Sequence, residues 1–294
     1  MMTPESAGTR PSPLTDGLVF AEGPRWRAGR LWFSDMHGEA VHTTTLDGKT
    51  TRVLALPGEK PSGLGFLPDG SALVVAMKRR ALLRFAPDGS SSGGSGTDGS
   101  FTVHADLADL VSDELNDMVV DATGVAYVGS YNTEPGTGVI VRVTPDGSAA
   151  IAATGLEFPN GSVITPDGRT LIVAESKGRR LTAFDLDDQG NLAQPRTVAT
   201  TPDAAPDGIA LDAAGAIWAA FPLAQEFRRI LPGGEVTDRI STGERMAIAC
   251  TLGGDDRRTL FLLSAKNWSA DALAGARTSV VETLHVPIPG AGLP

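Results

Sequence analysis

The chain has 294 residues, 41% of them hydrophobic and 20% charged, enough apolar content to core one large β domain or two smaller ones. Its 35 Gly and 20 Pro make it rich in turns but leave it short of the composition of a disordered chain. A net charge of −10 argues against nucleic acid or an anionic membrane as a partner, and no apolar run is long enough to span a bilayer.

At the N-terminus, MMTPESAGTRPSPLTDG lacks a basic segment followed by an apolar run. Residues 1–13 are therefore expected to form a disordered tail on a cytoplasmic protein, not a secretory signal. Turn signals then punctuate the chain: LDGK at 46–49, PDG at 68–70, 87–89, 145–147 and 166–168, DATG at 121–124, and DAAG at 212–215. The short runs between them are rich in Val, Ile, Leu and aromatic residues and read as hairpin strands. ADLADLVSDE (105–114) fits a turn or two of helix. The Ser/Gly-rich stretch 90–100 reads as a flexible loop. Its G-x-S-x-G and G-x-G-x-x-G matches lack the strand before and helix after that those motifs need. Cys250, the only cysteine, lies in MAIACTL as a small buried hydrophobe.

The clearest unit, 159–200, contains four strands separated by the turns PDGR and DQGN. Equivalent positions across the units fall at Glu22, Ser62, Asn116, Asn160, Asp207 and Met246, with gaps of 40, 54, 44, 47 and 39 residues. The long gap contains the Ser/Gly-rich loop. Six four-stranded units at this spacing predict an all-β fold, a six-bladed β-propeller over 14–294. The N-terminal run GLVFAE is expected to complete the last blade and close the ring, leaving no free sheet edge.

In such a ring the equivalent positions converge on the axis. Glu22, Asn116, Asn160 and Asp207 would bring two carboxylates and two amide oxygens together there. An all-oxygen set without His or Cys suits Ca²⁺ best, with Mg²⁺ or Mn²⁺ next and Zn²⁺ less favoured. Ser62 and Met246 then read as pocket wall. Loops on the same face place His37, Tyr131, Phe221 and Trp268 around a fairly apolar pocket, and the basic residues at 78–80 and 179–180 lie in two of those loops. Glu175, ending the second strand of the Asn160 unit, is a candidate general base beside Asp207.

EGPRW, LNDMVVDATG, PNGSVITPDGRTLIVAES, PDGIALDAAGAIWAAF and the closing PIPGAGLP together resemble the senescence-marker-protein (regucalcin)/gluconolactonase/luciferin-regenerating-enzyme family, from Leu14 to Pro294. The resemblance implies a six-bladed propeller with a divalent metal on its axis and hydrolysis of a small-molecule lactone. Glu22, Asn160 and Asp207 match that family's metal ligands, Asn116 matches a residue at the metal or the substrate, and Asp207 matches its proposed general base. Sugar-lactonase members carry Arg two residues before the Asn116 position, where this chain has Glu114. A carboxylate there cannot supply a guanidinium's donors to a polyhydroxy substrate. The alternatives to a lactonase are phosphotriester hydrolysis or a cyclisation on the same metal, or a propeller that only binds. Oligomeric state is not legible in the sequence.

Overall fold

A computed structural model of the chain describes residues 10–87, 100–132, 134–274 and 276–293. Residues 1–9 of the expected tail and nearly all of the 90–100 loop lie outside the described residues. The described residues form six four-stranded antiparallel sheets. After β1 (Ser12–Leu18), blade one comprises β2 (Ala21–Arg27), β3 (Arg30–Asp35), β4 (Ala40–Thr44) and β5 (Thr50–Ala55). Blade two is β6 (Pro61–Phe66), β7 (Ala72–Ala76), β8 (Ala81–Phe85) and β9 (Phe101–Asp106). Blade three is β10 (Leu115–Val120), β11 (Ala126–Ser130), β12 (Gly138–Val143) and β13 (Ala149–Leu156). Blade four is β14 (Pro159–Ile164), β15 (Thr170–Glu175), β16 (Arg180–Leu186) and β17 (Leu192–Thr200). Blade five is β18 (Ile209–Leu211), β19 (Ile217–Phe221), β20 (Glu226–Ile230) and β21 (Val236–Ser241). Blade six has β22 (Met246–Gly253), β23 (Thr259–Ala265) and β24 (Ser279–His285), with the short helix α1 (Ala270–Leu273) between the last two. Each innermost strand touches that of the next blade, and β22 returns to β2, closing a six-bladed propeller.

The core lies between the blades, in six apolar clusters that each join one neighbouring pair. Period-two alternation explains this division. On β7, Ala72, Val74 and Ala76 face blade one, while Leu73 and Val75 face blade three. Both faces of such a strand are buried, so its sequence is a continuous apolar run and not an alternating one.

As expected, an N-terminal strand closes the ring, but it lies mostly upstream of GLVFAE and shares only Gly17 and Leu18 with it. β1, with sequence SPLTDGL, pairs with β24 (Ser12↔Thr283, Leu18↔Ser279) to complete the β1-β24-β23-β22 sheet. GLVFAE instead spans the passage from β1 to β2. There the Asp35 carboxylate accepts the Phe20 N–H at 2.7 Å and the Val19 N–H at 3.1 Å, turning the chain from one blade into the next. The propeller thus begins at Ser12, two residues before the expected boundary. The expected helix at 105–114 is a tight turn. It has one helix-type bond, Val111 N–H to Leu107 O at 3.0 Å, and both of those side chains are buried. No helix among the described residues is long and apolar enough to cross a membrane.

Candidate active site on the propeller axis

Glu22, Ser62, Asn116 and Asn160 are each the second residue of an innermost strand, and Asp207 stands two residues before β18. The ladders begin at Ala21↔Asp35, Pro61↔Ala76, Leu115↔Ser130, Pro159↔Glu175 and Met246↔Ala265. In blade six the counterpart of the second-position residues is therefore Ala247, not Met246. Met246 instead packs in an apolar cluster with Phe20, Ile248 and Leu273.

The residue after the second position is Gly in four blades, because the innermost strands press against one another there. A Cβ on Gly63 would lie 2.3 Å from Met118 N, one on Gly161 2.7 Å from Gly208 Cα, and one on Gly208 2.5 Å from Ala249 Cβ. In blade three that place holds Asp117, which sequence reasoning missed. Its carboxylate pairs with buried Arg25 at 3.0 Å, while Arg25 also donates to Leu64 O and Pro24 O at 2.8 Å each. A buried cation thus sits beside the axis in EGPRW, a motif whose Arg was read only as part of a family signature.

Both amides are oriented by their partners. Asn116 Nδ2 donates to Pro159 O at 3.1 Å; a carbonyl only accepts, so the NH₂ must be the end that faces it. Asn160 Nδ2 donates to Ser176 Oγ at 3.2 Å, and that hydroxyl donates onward to Pro206 O at 2.7 Å. The amide oxygens are left as the acceptors. Glu22 Oε1 and Ser62 Oγ are buried without a well-formed hydrogen bond, although Ser62 lies near enough to Glu22 to favour its charged form. Burial, then the negative charges of Asp117 and Asp207, pushes the Glu22 carboxyl well above the usual range. Burial, and after it Asp117, raises Asp207 to about 8. The Asn160 amide also hydrogen-bonds Asp207, and this set of one buried and one half-buried carboxyl that both resist ionising, with two amide oxygens, fits a hard dication. Among the described residues no three His, Cys, Asp or Glu side chains cluster as a metal site, so the fit depends on the amides.

The quartet lies at the buried end of a cavity of ≈ 830 Å³, which His37, Tyr131 and Trp268 also line. His37 Nε2 donates to Trp268 O at 2.9 Å and its ring meets Phe20 edge-on. Other expected residues are elsewhere. Glu175 does not line the cavity: it accepts two bonds of 2.7 Å from Arg180, one of 2.7 Å from Glu157 N–H, and one from Thr182. Burial alone would raise its pKa, but these donors hold it below the ordinary range. It is a structural anion, and its candidacy as a base is withdrawn. Phe221 is a core residue under the Arg228 guanidinium, 4.3 Å away, and Pro222 and Leu223 line the cavity instead. Ser62 is fully buried behind the cavity lining. Glu114 faces Lys60, with Nζ 2.7 Å from its carboxylate, and it is Lys60 that lines the cavity. Of the basic loop residues at 78–80 and 179–180, Lys78 alone lines it; Arg79 pairs with Glu59, Arg80 donates to Val111 O and Ser112 O, and Arg179 donates to Pro202 O. Phe158, also missed, lines the cavity from a left-handed backbone (φ 63) just before Pro159. An aromatic before Pro was its only sequence signal.

The SMP-30/Gluconolactonase/LRE-like region matches residues 20–266 of this chain. The chain belongs to the SMP-30/gluconolactonase/LRE-like family. Among its relatives in that family, 6-deoxy-6-sulfogluconolactonase of Pseudomonas putida is 30% identical over 94% of each chain. L-arabinolactonase of Azospirillum brasilense is 27% identical over 87% of this chain and 84% of its own. In fold, the SMP-30/gluconolactonase-like chain superposes on a calcium-binding protein, regucalcin, of Agrobacterium tumefaciens with a TM-score of 0.79, at 23% identity over 98% and 97% of the two chains.

Proposed function

We propose that the protein is a divalent-cation-dependent lactonase that opens a small lactone at the axial site, with Ca²⁺ the preferred ion. The observation that carries this reading is buried Glu22 and half-buried Asp207, both with raised pKa, lining one cavity with the amides of Asn116 and Asn160. The lactonase names among the relatives support the substrate class.

Glu22 and Asp207 would hold the dication as carboxylates, and Asn116 and Asn160 would add neutral oxygens without excess negative charge. A bound dication supplies Lewis-acid polarisation of an ester carbonyl and charge compensation for the oxyanion that develops there. Asp207 is positioned at the reacting end of the cavity and is our general base for the attacking water. Arg25 pairs with Asp117 and offsets part of the burial that raises that carboxyl, while the charge of Asp117 still opposes ionisation of Glu22 and Asp207 until a cation is bound.

The test is a pH-indicator hydrolysis assay of lactones, esters and phosphotriesters with chelator, then with Ca²⁺, Mg²⁺, Mn²⁺ or Zn²⁺ restored. Lactone opening should vanish with chelator, return best with Ca²⁺, and fall by about 10²–10⁴-fold in Asp207→Asn. Glu175→Gln should keep its turnover. Full lactone turnover in the presence of chelator would sink the proposal.

A further inference from the structure

We propose that the lactone this site accepts carries an apolar substituent, an alkyl or aryl group of several carbons, and is not a polyhydroxylated sugar lactone. The inference rests on the lactonase reading above and narrows its substrate. Beyond the axial oxygens the cavity wall is apolar, formed by Met77, Tyr131, Phe158, Leu223, Ile248 and Trp268. Tyr131 stands edge-on to Phe158 at 4.6 Å, making an aromatic corner.

Several polar side chains of the lining already have partners. Lys60 Nζ faces Glu114 at 2.7 Å, the His37 Nε2 hydrogen is used on Trp268 O at 2.9 Å, and the Ser176 hydroxyl donates to Pro206 O at 2.7 Å. The wall offers a sugar lactone few polar groups for its several hydroxyls, chiefly the Tyr131 hydroxyl and the remaining N–H groups of Lys60, so most of those hydroxyls would lose water without a replacement partner, which disfavours binding. Glu39, Lys78 and Ser269 also line the cavity, from the loops that join β3 to β4, β7 to β8 and β23 to α1. Glu114 pairs with Lys60 and takes up one of that ammonium's three donors.

Exposure points the same way. Among the described residues, Leu223 is 74% exposed, Trp268 55% and Tyr131 41%; all three line this one cavity. Large apolar side chains gathered at one concave mouth mark a surface that a ligand covers.

The test uses the Ca²⁺-loaded protein and a series of γ-lactones, unsubstituted and with butyl, hexyl or phenyl groups, against D-glucono-δ-lactone. We expect kcat/KM to rise along the series and to exceed that for the sugar lactone at least about tenfold. Leu223→Asp and Trp268→Ala should penalise the hexyl and phenyl lactones through KM more than the unsubstituted one. A second readout needs no turnover: the phenyl-substituted γ-lactam should quench tryptophan emission saturably, and Leu223→Asp should weaken that binding. Preference for the sugar lactone overturns the inference while leaving the lactonase reading intact. If no lactone is opened, the lactonase reading falls, and lactam binding decides the pocket: saturable binding weakened by Leu223→Asp sustains an apolar ligand, and its absence overturns one.

Discussion

Glu22 is buried and Asp207 half-buried beside Asp117, and each has its protonated form favoured in the cation-free fold. The consequence for stability follows from linkage. A carboxyl near 3.9 in the unfolded chain and about 8 in the fold takes up a proton on folding between those values, so stability falls as pH rises through that window. The cation-free protein should therefore melt at a lower temperature at about pH 8 than at about pH 5. Saturating Ca²⁺ should remove most of that fall, since it binds the ionised form. Scanning calorimetry with chelator and with Ca²⁺ checks both limbs, and a melting temperature independent of pH without cation would contradict the electrostatic picture. The same scale shows why some residue roles were legible and others were not. Glu22, Asn116, Asn160 and Asp207 carry a repeat phase that can be counted in the sequence. Glu175 and Phe221 end the second strands of their blades at the site face, but Arg180 and Arg228 claim them, and those partnerships exist only once strands pair.

At the scale of the strand, the glycine after each axial position sets how closely neighbouring blades approach. Gly161 lies between Asn160 and the backbone of Asp207–Ile209, so Gly161→Ala would force those strands apart. The expected cost is about 1–3 kcal/mol of stability, as for other overpacked sites. The displaced ligands should also weaken Ca²⁺ binding about tenfold, a little over 1 kcal/mol. Titration calorimetry on the folded variant tests this, and unchanged affinity would show that the spacing does not set the site. Strands were readable wherever Asp-Gly turns flank apolar runs. β1 was not, since SPLTDGL is mostly polar and only Leu18 is fully buried. Its place is fixed by pairing with β24 and by Asp35 capturing the chain at Val19 and Phe20.

For the whole molecule, closure matters most, because the six interblade clusters form a ring that β1 completes. Deleting the chain through Leu18 removes a buried residue from the sixth-to-first-blade cluster and bares the edge of β24. The truncated protein should melt roughly 10 °C lower and associate as its concentration rises, as exposed sheet edges do. Light scattering and a thermal melt would check this, and a monomeric variant of unchanged stability would show that β1 is dispensable.

The sequence by itself determined the architecture and the axial quartet. Turn chemistry, apolar runs and a constant repeat phase are local or periodic properties, and a chain can be read for them without being folded. Only the tertiary structure decided the one-residue shift from Met246 to Ala247, the buried Arg25–Asp117 pair, and the removal of Glu175 and Phe221 from the pocket. It also showed that Glu114 answers Lys60, more than fifty residues away in the chain. These depend on which side chains meet across blades, where register and burial assign partners that spacing along the chain does not encode.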